Sequence, residues 1–365
     1  MHPGARAAQR FFEAAAEIIP LSRLTHLHVL HWPGDLPSPA RIFGEAGFVG
    51  TVTAGRISTA EQTRREAPGA RVVADHRPTA GEAADHSLLE WPQGREAGVW
   101  MLEQCARRMA PEGRVWLFGD KESGLFSLEK RLGLTADFYK GHMRMLSLDR
   151  ETALRAAGRD PSALLESEPA EGEGFLEWAA EPPGGPVVRV ASLPGVFSWE
   201  KPDPGSMLLL SALLQREPKG RLLDLGCGPG LLGATLALAW PQSRVVLSDD
   251  LLAAIPCARK TVELNGVGGR CQVVAEDGVG HQLRRMRFDR IATHPPFHRG
   301  GRTDRELALR LITQSAALLP PGGELWVVGN TFLQHGAAME GLFRHVETVA
   351  DDGRFAVWRG VKGRG

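Results

Sequence analysis

Short apolar runs alternate with helical patterns along the second half of the chain. The apolar runs predict β-strands at 221–225, 244–248, 271–275, 288–293 and 324–329. The patterns between them predict helices at 231–239, 253–265 and 305–319. Strands that alternate with helices in this way indicate a mostly parallel sheet with helices on both faces. We therefore predict an α/β fold for this half.

The first half of the chain repeats this plan. Residues 110–120 and 320–330 share Pro, Gly, Trp and Gly at a constant offset of 210, and apolar positions match apolar positions. Upstream, residues 88–92 take the place of 291–295. A repeat of this length predicts an internal duplication, giving two tandem Rossmann-like domains. The alternative is that turns followed by buried strands resemble one another by chance.

The N-terminal copy is predicted to be degenerate. Its first strand is expected at 27–30, and the chain continues Trp-Pro-Gly-Asp-Leu-Pro at 32–37, where the second copy has a glycine-rich loop. This domain, 1–160, is therefore expected to support the other or to recognise a partner. An acidic linker is predicted at 161–185, with a hairpin near its end, before the second domain at 186–365.

Composition and charge narrow the class of protein. The chain has 365 residues, 43% of them hydrophobic and 24% charged, which is typical of a soluble globular protein of two domains. The zero net charge hides a modestly basic second domain, which permits RNA binding. The four widely spaced cysteines favour neither a zinc site nor disulfides, and no apolar run could span a membrane. We expect a cytoplasmic protein without a metal, and a monomer.

A glycine-rich loop follows the strand at 221–225 and predicts a cofactor pocket. Its residues with a predicted binding role are Asp224, Gly226, Cys227, Gly228 and Gly230. Glycines allow a tight turn and close approach of a ligand to the backbone. Asp224 suits a cationic amino-acid group, Asp249 at the end of the next strand suits ribose hydroxyls, and Asp277 suits an adenine amino group. In this order, the three groups describe S-adenosylmethionine.

The second motif is His294-Pro295-Pro296-Phe297, directly after the strand at 288–293. Ligands bind at this carboxyl edge in open α/β sheets. An exocyclic amine is a poor nucleophile, and acceptors for its N–H groups direct its lone pair toward a methyl donor. Two prolines fix the backbone there, and Phe297 offers a face on which a base can stack. These four residues are the predicted catalytic group.

From 194 onward the chain resembles the bacterial small-subunit ribosomal RNA guanine-N2 methyltransferases. The segments that carry the resemblance are 193–198, 203–210, 224–230, 265–266, 295–298 and 330–333. The resemblance implies tandem class I methyltransferase domains, the first of them degenerate and helping to bind RNA. It also implies S-adenosylmethionine as cofactor, the N2 amine of a guanine in 16S rRNA as target, and the small ribosomal subunit or its RNA as partner. It further implies that Phe197 and Ser206 lie near the cofactor or the target base.

The remaining predicted sites flank these motifs. Ser206 is assigned to the cofactor. The predicted substrate-binding residues are Phe197, His298, Arg299, Arg302 and Phe332. The arginines beside the motif suit phosphate groups.

One residue departs from the family pattern. The family motif begins with Asn, whose oxygen accepts a hydrogen bond from the target amine, and this chain has His294 there. A neutral imidazole accepts one hydrogen bond, whereas an imidazolium accepts none. Activity is therefore expected to fall as the pH drops through the pKa of this histidine, and His294→Asn should relieve the fall. The alternatives are a non-catalytic RNA-binding or ribosome-assembly relative and a protein-glutamine N-methyltransferase.

Overall fold

A computed structural model describes most of the chain as two compact units, Met1–Glu173 and Gly174–Gly365. The described residues are 10–15, 18–19, 26–31, 38, 41–42, 51–67, 70–74, 83–92, 95–120, 123–140, 142–158, 174–218, 220–295 and 302–364. The predicted glycine-loop replacement at 32–37 lies outside them.

The first unit contains a seven-stranded sheet. Its strands are β1 (His26–His31), β2 (Thr51–Ala54), β3 (Arg71–Ala74), β4 (Ala84–Glu90), β5 (Met109–Asp120), β6 (Phe138–Lys140) and β7 (Met143–Leu148). Its helices are α1 (Ile57–Glu66), α2 (Arg95–Arg107), α3 (Leu125–Leu132) and α4 (Arg150–Ala156).

The second unit contains a two-stranded and a seven-stranded sheet. Its strands are β8 (Leu176–Ala180), β9 (Val188–Ser192), β10 (Arg221–Leu225), β11 (Arg244–Asp249), β12 (Cys271–Ala275), β13 (Arg290–Thr293), β14 (Glu324–Asn330), β15 (His345–Asp351) and β16 (Phe355–Val361). Its helices are α5 (Pro204–Leu214), α6 (Leu231–Ala239), α7 (Ala254–Leu264), α8 (Arg302–Leu318) and α9 (His335–Met339).

The two large sheets have the same topology. Their strand orders are β3-β2-β1-β4-β5-β7-β6 and β12-β11-β10-β13-β14-β16-β15. In each sheet the first five strands of the order are parallel, and the last two pairings, which both involve the sixth strand, are antiparallel. This shared order agrees with the predicted duplication.

The strand register corrects the predicted alignment by one residue. Trp116 of β5 pairs with Leu88, and the equivalent Trp326 of β14 pairs with Ala292. Leu88 therefore corresponds to Ala292 and not to Ile291, and Glu90 takes the place of His294. A sequence comparison alone cannot fix this register, because it is set by pairing with the neighbouring strand.

The predicted linker differs from the observed structure in its second half. The units divide after Glu173, and β8 pairs with β9 as an antiparallel hairpin within the second unit. The hairpin was predicted, but its first strand lies inside the range assigned to the linker, 161–185. Trp178 of this strand packs against the core, which explains why it is ordered.

Both faces of the second large sheet are buried, and alternate residues of each strand supply the two cores. Leu222 of β10 joins the core formed with α5, α6 and α7, whereas Leu223 joins the core formed with α8 and α9. This explains why the strands are continuously apolar in sequence. The parallel strands end at one edge, where the residues that directly follow β10, β11 and β13 lie.

Within the described ranges, no helix has the length and apolar character needed to cross a membrane. The same ranges contain no cluster of three or more His, Cys, Asp and Glu side chains that could hold a metal ion.

Candidate active site

The loop after β10 turns on three glycines in the left-handed region. Gly226, Gly228 and Gly230 have φ values of 78°, 52° and 86°, which other residues adopt at a cost. The amides of Gly226 and Cys227 donate to the carbonyl of Ser248 at 2.8 and 2.9 Å. These bonds join the loop to the end of β11.

The glycines have different surroundings. A Cβ at Gly226 would have no described heavy atom within 4 Å, and one at Gly228 would meet only the carbonyl oxygen of Phe197, at 3.7 Å. A Cβ at Gly230 would lie 3.0 Å from the Cα of Ala258 on α7. The first two glycines therefore leave open space above the loop, and the third allows α6 and α7 to pack closely. This is the arrangement that a bound nucleoside requires.

Asp224 is a buried carboxylate beneath the loop, with 3% of its surface exposed. Its Oδ2 accepts a hydrogen bond from the amide of Gly233 at 2.9 Å. Burial raises the pKa of Asp224 to about 7, and the nearby charge of Asp249 adds to the rise. A buried carboxylate with a raised pKa gains strongly from a cation beside it. The amino group of the methionine part of the cofactor would supply that charge.

Two further carboxylates stand at the ends of the neighbouring strands. The oxygens of Asp249 accept the amides of Gly228 and Leu251, both at 2.8 Å, so this residue also supports the loop. Asp277, just beyond β12, is held by Arg310, with Nη1 3.0 Å from Oδ2 and Nη2 2.6 Å from Oδ1. Each carboxylate oxygen has a second lone pair. Their assignment to ribose and adenine stays a prediction.

His294 stands beside the glycine loop at the end of β13. The hydroxyl of Thr293 donates to the carbonyl of Leu225 at 2.8 Å and joins the ends of β13 and β10. The Nδ1 atom of His294 lies 3.3 Å from the Oγ of Ser206 and 3.4 Å from Oδ2 of Asp203. Three segments that are distant in sequence therefore meet here.

Two aromatic rings contact His294 edge-on. The ring centroids of Phe197 and Phe355 lie 5.3 and 6.2 Å from that of the histidine. Burial lowers the pKa of His294 below its usual value, and the charge of Asp203 opposes this shift. The imidazole is therefore neutral at pH 7 and can accept a hydrogen bond.

Comparisons with known proteins agree with this geometry. Residues 187–359 match the family model of the methyltransferase small domain. The chain is 34% identical over 279 residues to the ribosomal RNA small subunit methyltransferase C of Stutzerimonas stutzeri, covering 76% of this chain and 80% of the relative. The corresponding Pseudomonas aeruginosa protein is 35% identical over 274 residues, or 74% and 77% of the two chains. The chain belongs to the ribosomal RNA small subunit methyltransferase C family.

A solved structure also matches along nearly the whole chain. It is the T. thermophilus 16S rRNA guanine-N2 methyltransferase in complex with AdoMet and guanosine. The TM-score is 0.74 at 26% identity, and the match covers 99% of this chain and 94% of that one. The family, the tandem class I methyltransferase fold and S-adenosylmethionine as cofactor are thus confirmed.

The structure describes only part of the predicted family motif. Pro295 is buried next to His294, while Pro296, Phe297, His298 and Arg299 lie outside the described residues. Arg302 begins α8, and its side chain is also outside the description. Phe332 is 63% exposed in a short turn after β14, at the same edge of the sheet as the glycine loop.

Cys227 has a structural environment. Its side chain is 6% exposed, and burial raises the pKa of its thiol well above the usual range. A protonated, buried thiol is a poor nucleophile. In this member of the methyltransferase C family it therefore fills space within the loop.

Sequence reasoning predicted Phe197 and Ser206 beside the site but missed Asp203 and Phe355 next to His294 and Arg310 next to Asp277. Asp203 precedes a helix in an Asp-Pro-Gly-Ser segment and was recognised only as part of the family resemblance. The Asp-Pro pair indicates a helix start, but no local sequence pattern predicts that Asp203 lies next to His294. No local pattern predicts the contacts of Phe355 on β16 or Arg310 on α8 either.

Proposed function

We propose that the second unit transfers a methyl group from S-adenosylmethionine to the exocyclic N2 amine of a guanine in 16S ribosomal RNA. The observation that carries this proposal is the position of His294, an uncharged acceptor beside a glycine loop that is open above Asp224. Because ribosomal RNA is the substrate, the cytoplasm is the proposed place of reaction.

The described residues have distinct roles in this reaction. Asp224 and the open glycines hold the amino-acid and nucleoside parts of the cofactor, which supplies an electrophilic methyl group when bound. Nε2 of His294 accepts an N–H of the target amine, so the nitrogen lone pair turns out of the ring plane and toward the methyl group. Phe197, 51% exposed, offers a face for the guanine. The protein contributes position and electrostatics.

The two rival functions have less support. A non-catalytic relative need not keep a binding loop, whereas here Gly226 and Gly228 leave open space above the buried carboxylate of Asp224. A protein-glutamine methyltransferase has no need of an additional, degenerate domain whose sheet has the same strand order as that of the catalytic domain. Neither rival is favoured by an observation of its own.

For the first unit we propose a role in RNA binding, and an aromatic and basic surface supports it. Phe126 on α3 and Tyr139 on β6 are 40% and 57% exposed. The guanidinium of Arg144 lies 4.6 and 5.1 Å from their ring centroids, and the ammonium of Lys130 lies 4.5 Å from that of Phe126. Exposed rings beside cations suit unpaired bases and their phosphates. We call these four residues the Tyr139 surface.

The proposed reaction is tested with purified protein, labelled S-adenosylmethionine and two substrates, naked 16S rRNA and assembled small subunits. Digestion to nucleosides should give N2-methylguanosine from at least one of them. Asp224→Ala serves as the inactive control. Label that appears only in protein would favour the glutamine methyltransferase. RNA binding without label or cofactor binding would favour the non-catalytic relative.

A further inference from the structure

The polar neighbours of His294 lie on one side of its ring. Asp203 and Ser206 both face Nδ1, at 3.4 and 3.3 Å. Among the described residues, Nε2 has no hydrogen-bond partner, and 16% of the side chain is exposed. The ring thus has one nitrogen held by the protein and another that is available to a substrate.

The carboxylate of Asp203 is held firmly in place. It is the N-cap of α5, and its Oδ2 accepts the amide of Ser206 at 2.8 Å. The same oxygen faces the histidine. Gly205 makes this approach possible, because a Cβ there would lie 3.0 Å from both Cε1 of His294 and the ring of Phe355. The segment 203–206 therefore brings a helix cap directly against the imidazole.

The carboxylate selects one tautomer of the histidine. The hydroxyl of Ser206 can donate or accept and therefore suits either tautomer. A carboxylate only accepts hydrogen bonds, and an unprotonated Nδ1 also only accepts, so Asp203 and an unprotonated Nδ1 would repel each other. With the proton on Nδ1, the ring donates toward Asp203, and Nε2 carries the free lone pair. This is the orienting role that a carboxylate has toward a catalytic histidine in other enzymes.

We propose that Asp203 is a positioning residue that fixes the Nδ1–H tautomer of His294, so that Nε2 replaces the amide oxygen of the family's asparagine. This inference rests on the proposed function. In the reaction, the target nitrogen bonds to the methyl carbon while the carbon–sulfur bond breaks and leaves its electron pair on sulfur. The nitrogen then releases its proton to Nε2, and Asp203 stabilises the imidazolium that forms.

The test is a cycle of four proteins: wild type, Asp203→Asn, His294→Asn and the double variant. Asparagine caps a helix about as well as aspartate, so α5 is retained. We expect Asp203→Asn to lower kcat about tenfold or more in the wild-type background, because the neutral amide no longer stabilises the imidazolium that forms. In the His294→Asn background the same change should alter kcat less than about twofold, since no imidazolium forms there.

A matched control makes the same Asp-to-Asn change at a different helix cap. Asp149 is the N-cap of α4, and its side chain accepts the amide of Thr152 at 2.8 Å, without a histidine beside it. Asp149→Asn should leave kcat unchanged. An equal fall from Asp203→Asn in both backgrounds, or no fall in either, would overturn the inference.

A second readout does not depend on activity. The 15N spectrum of histidine-labelled protein distinguishes a protonated from an unprotonated ring nitrogen, and the signals of His294 are those missing from His294→Asn. We expect a protonated Nδ1 and an unprotonated Nε2 in the wild type, with loss of this preference in Asp203→Ala, which has no oxygen facing Nδ1. The opposite tautomer in the wild type would refute the inference even if methyl transfer occurs. Absence of methyl transfer with the expected spectrum would count only against the proposed function.

Discussion

Arg310 holds both carboxylate oxygens of Asp277, the residue predicted to accept the adenine amino group. The pair is partly exposed, at 41% and 22%, so it contributes little to stability. The pair instead orients the side chain of Asp277, because a bidentate guanidinium fixes the plane of the carboxylate. We therefore expect Arg310→Ala to weaken cofactor binding about three- to tenfold in calorimetric titration, with the melting temperature nearly unchanged.

A pair of substitutions at Asp277 separates its two interactions. Asp277→Asn keeps an oxygen for the adenine amino group, whereas Asp277→Leu removes it, so the leucine variant should bind the cofactor more weakly. Lys260→Ala breaks the exposed pair of Lys260 and Glu263 on α7 and serves as the control. Equal affinities of the two Asp277 variants would contradict the adenine assignment.

The raised pKa of Asp224 makes cofactor binding depend on pH. In the free protein this carboxyl titrates near pH 7, and a bound cation favours its ionised form. The affinity for S-adenosylmethionine should therefore fall up to tenfold for each pH unit below 7 and be constant above pH 8. Titrations from pH 5.5 to 8.5 measure it. Asp224→Asn should bind weakly at every pH, and a wild-type affinity independent of pH would contradict the prediction.

The raised pKa of Asp224 also makes the stability of the folded protein depend on pH, with a direction that can be predicted. Its pKa is higher in the folded than in the unfolded protein, so the stability it contributes is present below the unfolded value and is lost as the pH rises through 7. Asp224→Asn removes this loss and keeps an acceptor for the amide of Gly233. Without cofactor, its melting temperature at pH 8 should exceed that of the wild type by about 5 °C. The difference should shrink toward pH 5.

Gly226 and Gly230 have similar backbone angles but different neighbours, and their alanine variants should differ accordingly. Gly226→Ala adds a methyl group to open space, so it costs about 1–2 kcal/mol in backbone strain and obstructs the cofactor. Gly230→Ala also meets α7 and should cost about 1–3 kcal/mol more. Urea denaturation and cofactor titration together test this difference. A Gly226→Ala variant with normal affinity would place the cofactor elsewhere.

The predicted parts of the fold are those that a local pattern of apolar residues determines. Buried parallel strands such as β10 and β13 are short segments rich in apolar residues, and they were located to within two residues. The strand β15 was not predicted, because it is partly exposed along its length and mixes charged with apolar residues. The strand β16 was also not predicted, although it is largely apolar and buried.

The candidate site likewise contains parts that a local sequence pattern predicts and parts that it does not. The turn at Gly226–Gly230 follows from its own sequence, since glycine is the residue that adopts these backbone angles readily. The contact of Ser206 with His294 joins residues 88 positions apart. It exists because α5 packs against β14 and β16 beside the end of β13, and only the sheet order determines this.

The Tyr139 surface should contribute to RNA affinity and not to catalysis. Removing the exposed ring in Tyr139→Ala should weaken 16S rRNA binding by about 1–3 kcal/mol, measured by filter binding. Lys130→Gln should weaken it and reduce the slope against log salt by about one if the ammonium contacts a phosphate. Cofactor affinity should not change. Val187→Ala, at an exposed apolar residue of the second unit, is the control. Unaltered RNA affinity in both variants would exclude a role of the Tyr139 surface in RNA binding.

Glu324 stabilises the second sheet at the edge opposite His294. It accepts hydrogen bonds from Arg290 at 2.8 Å, Arg359 at 2.9 Å and the indole of Trp326 at 3.0 Å. Glu324→Gln would leave the buried guanidinium of Arg290 without its carboxylate, whereas Arg359 would keep its pair with Glu347 at 2.6 Å. We expect the change to cost about 3–5 kcal/mol in urea denaturation. Because the network is far from the loops that form the site, kcat at 25 °C should be retained wherever the variant is folded.

The pH dependence of the free energy of unfolding tests whether the ionised carboxylate of Glu324 stabilises this network. Burial alone would raise the pKa of Glu324, but the hydrogen bonds from Arg359 and Trp326 and the charge of Arg290 outweigh it and hold the pKa below its usual value. Its contribution is therefore present above the pKa of an ordinary carboxyl and is lost as the pH falls through the lowered value. The stability gap between wild type and Glu324→Gln should thus be widest at neutral pH and narrow below pH 4.5. A gap that stays constant from pH 7 to pH 4 would mean that packing, and not the ionised carboxylate, holds this edge of the sheet.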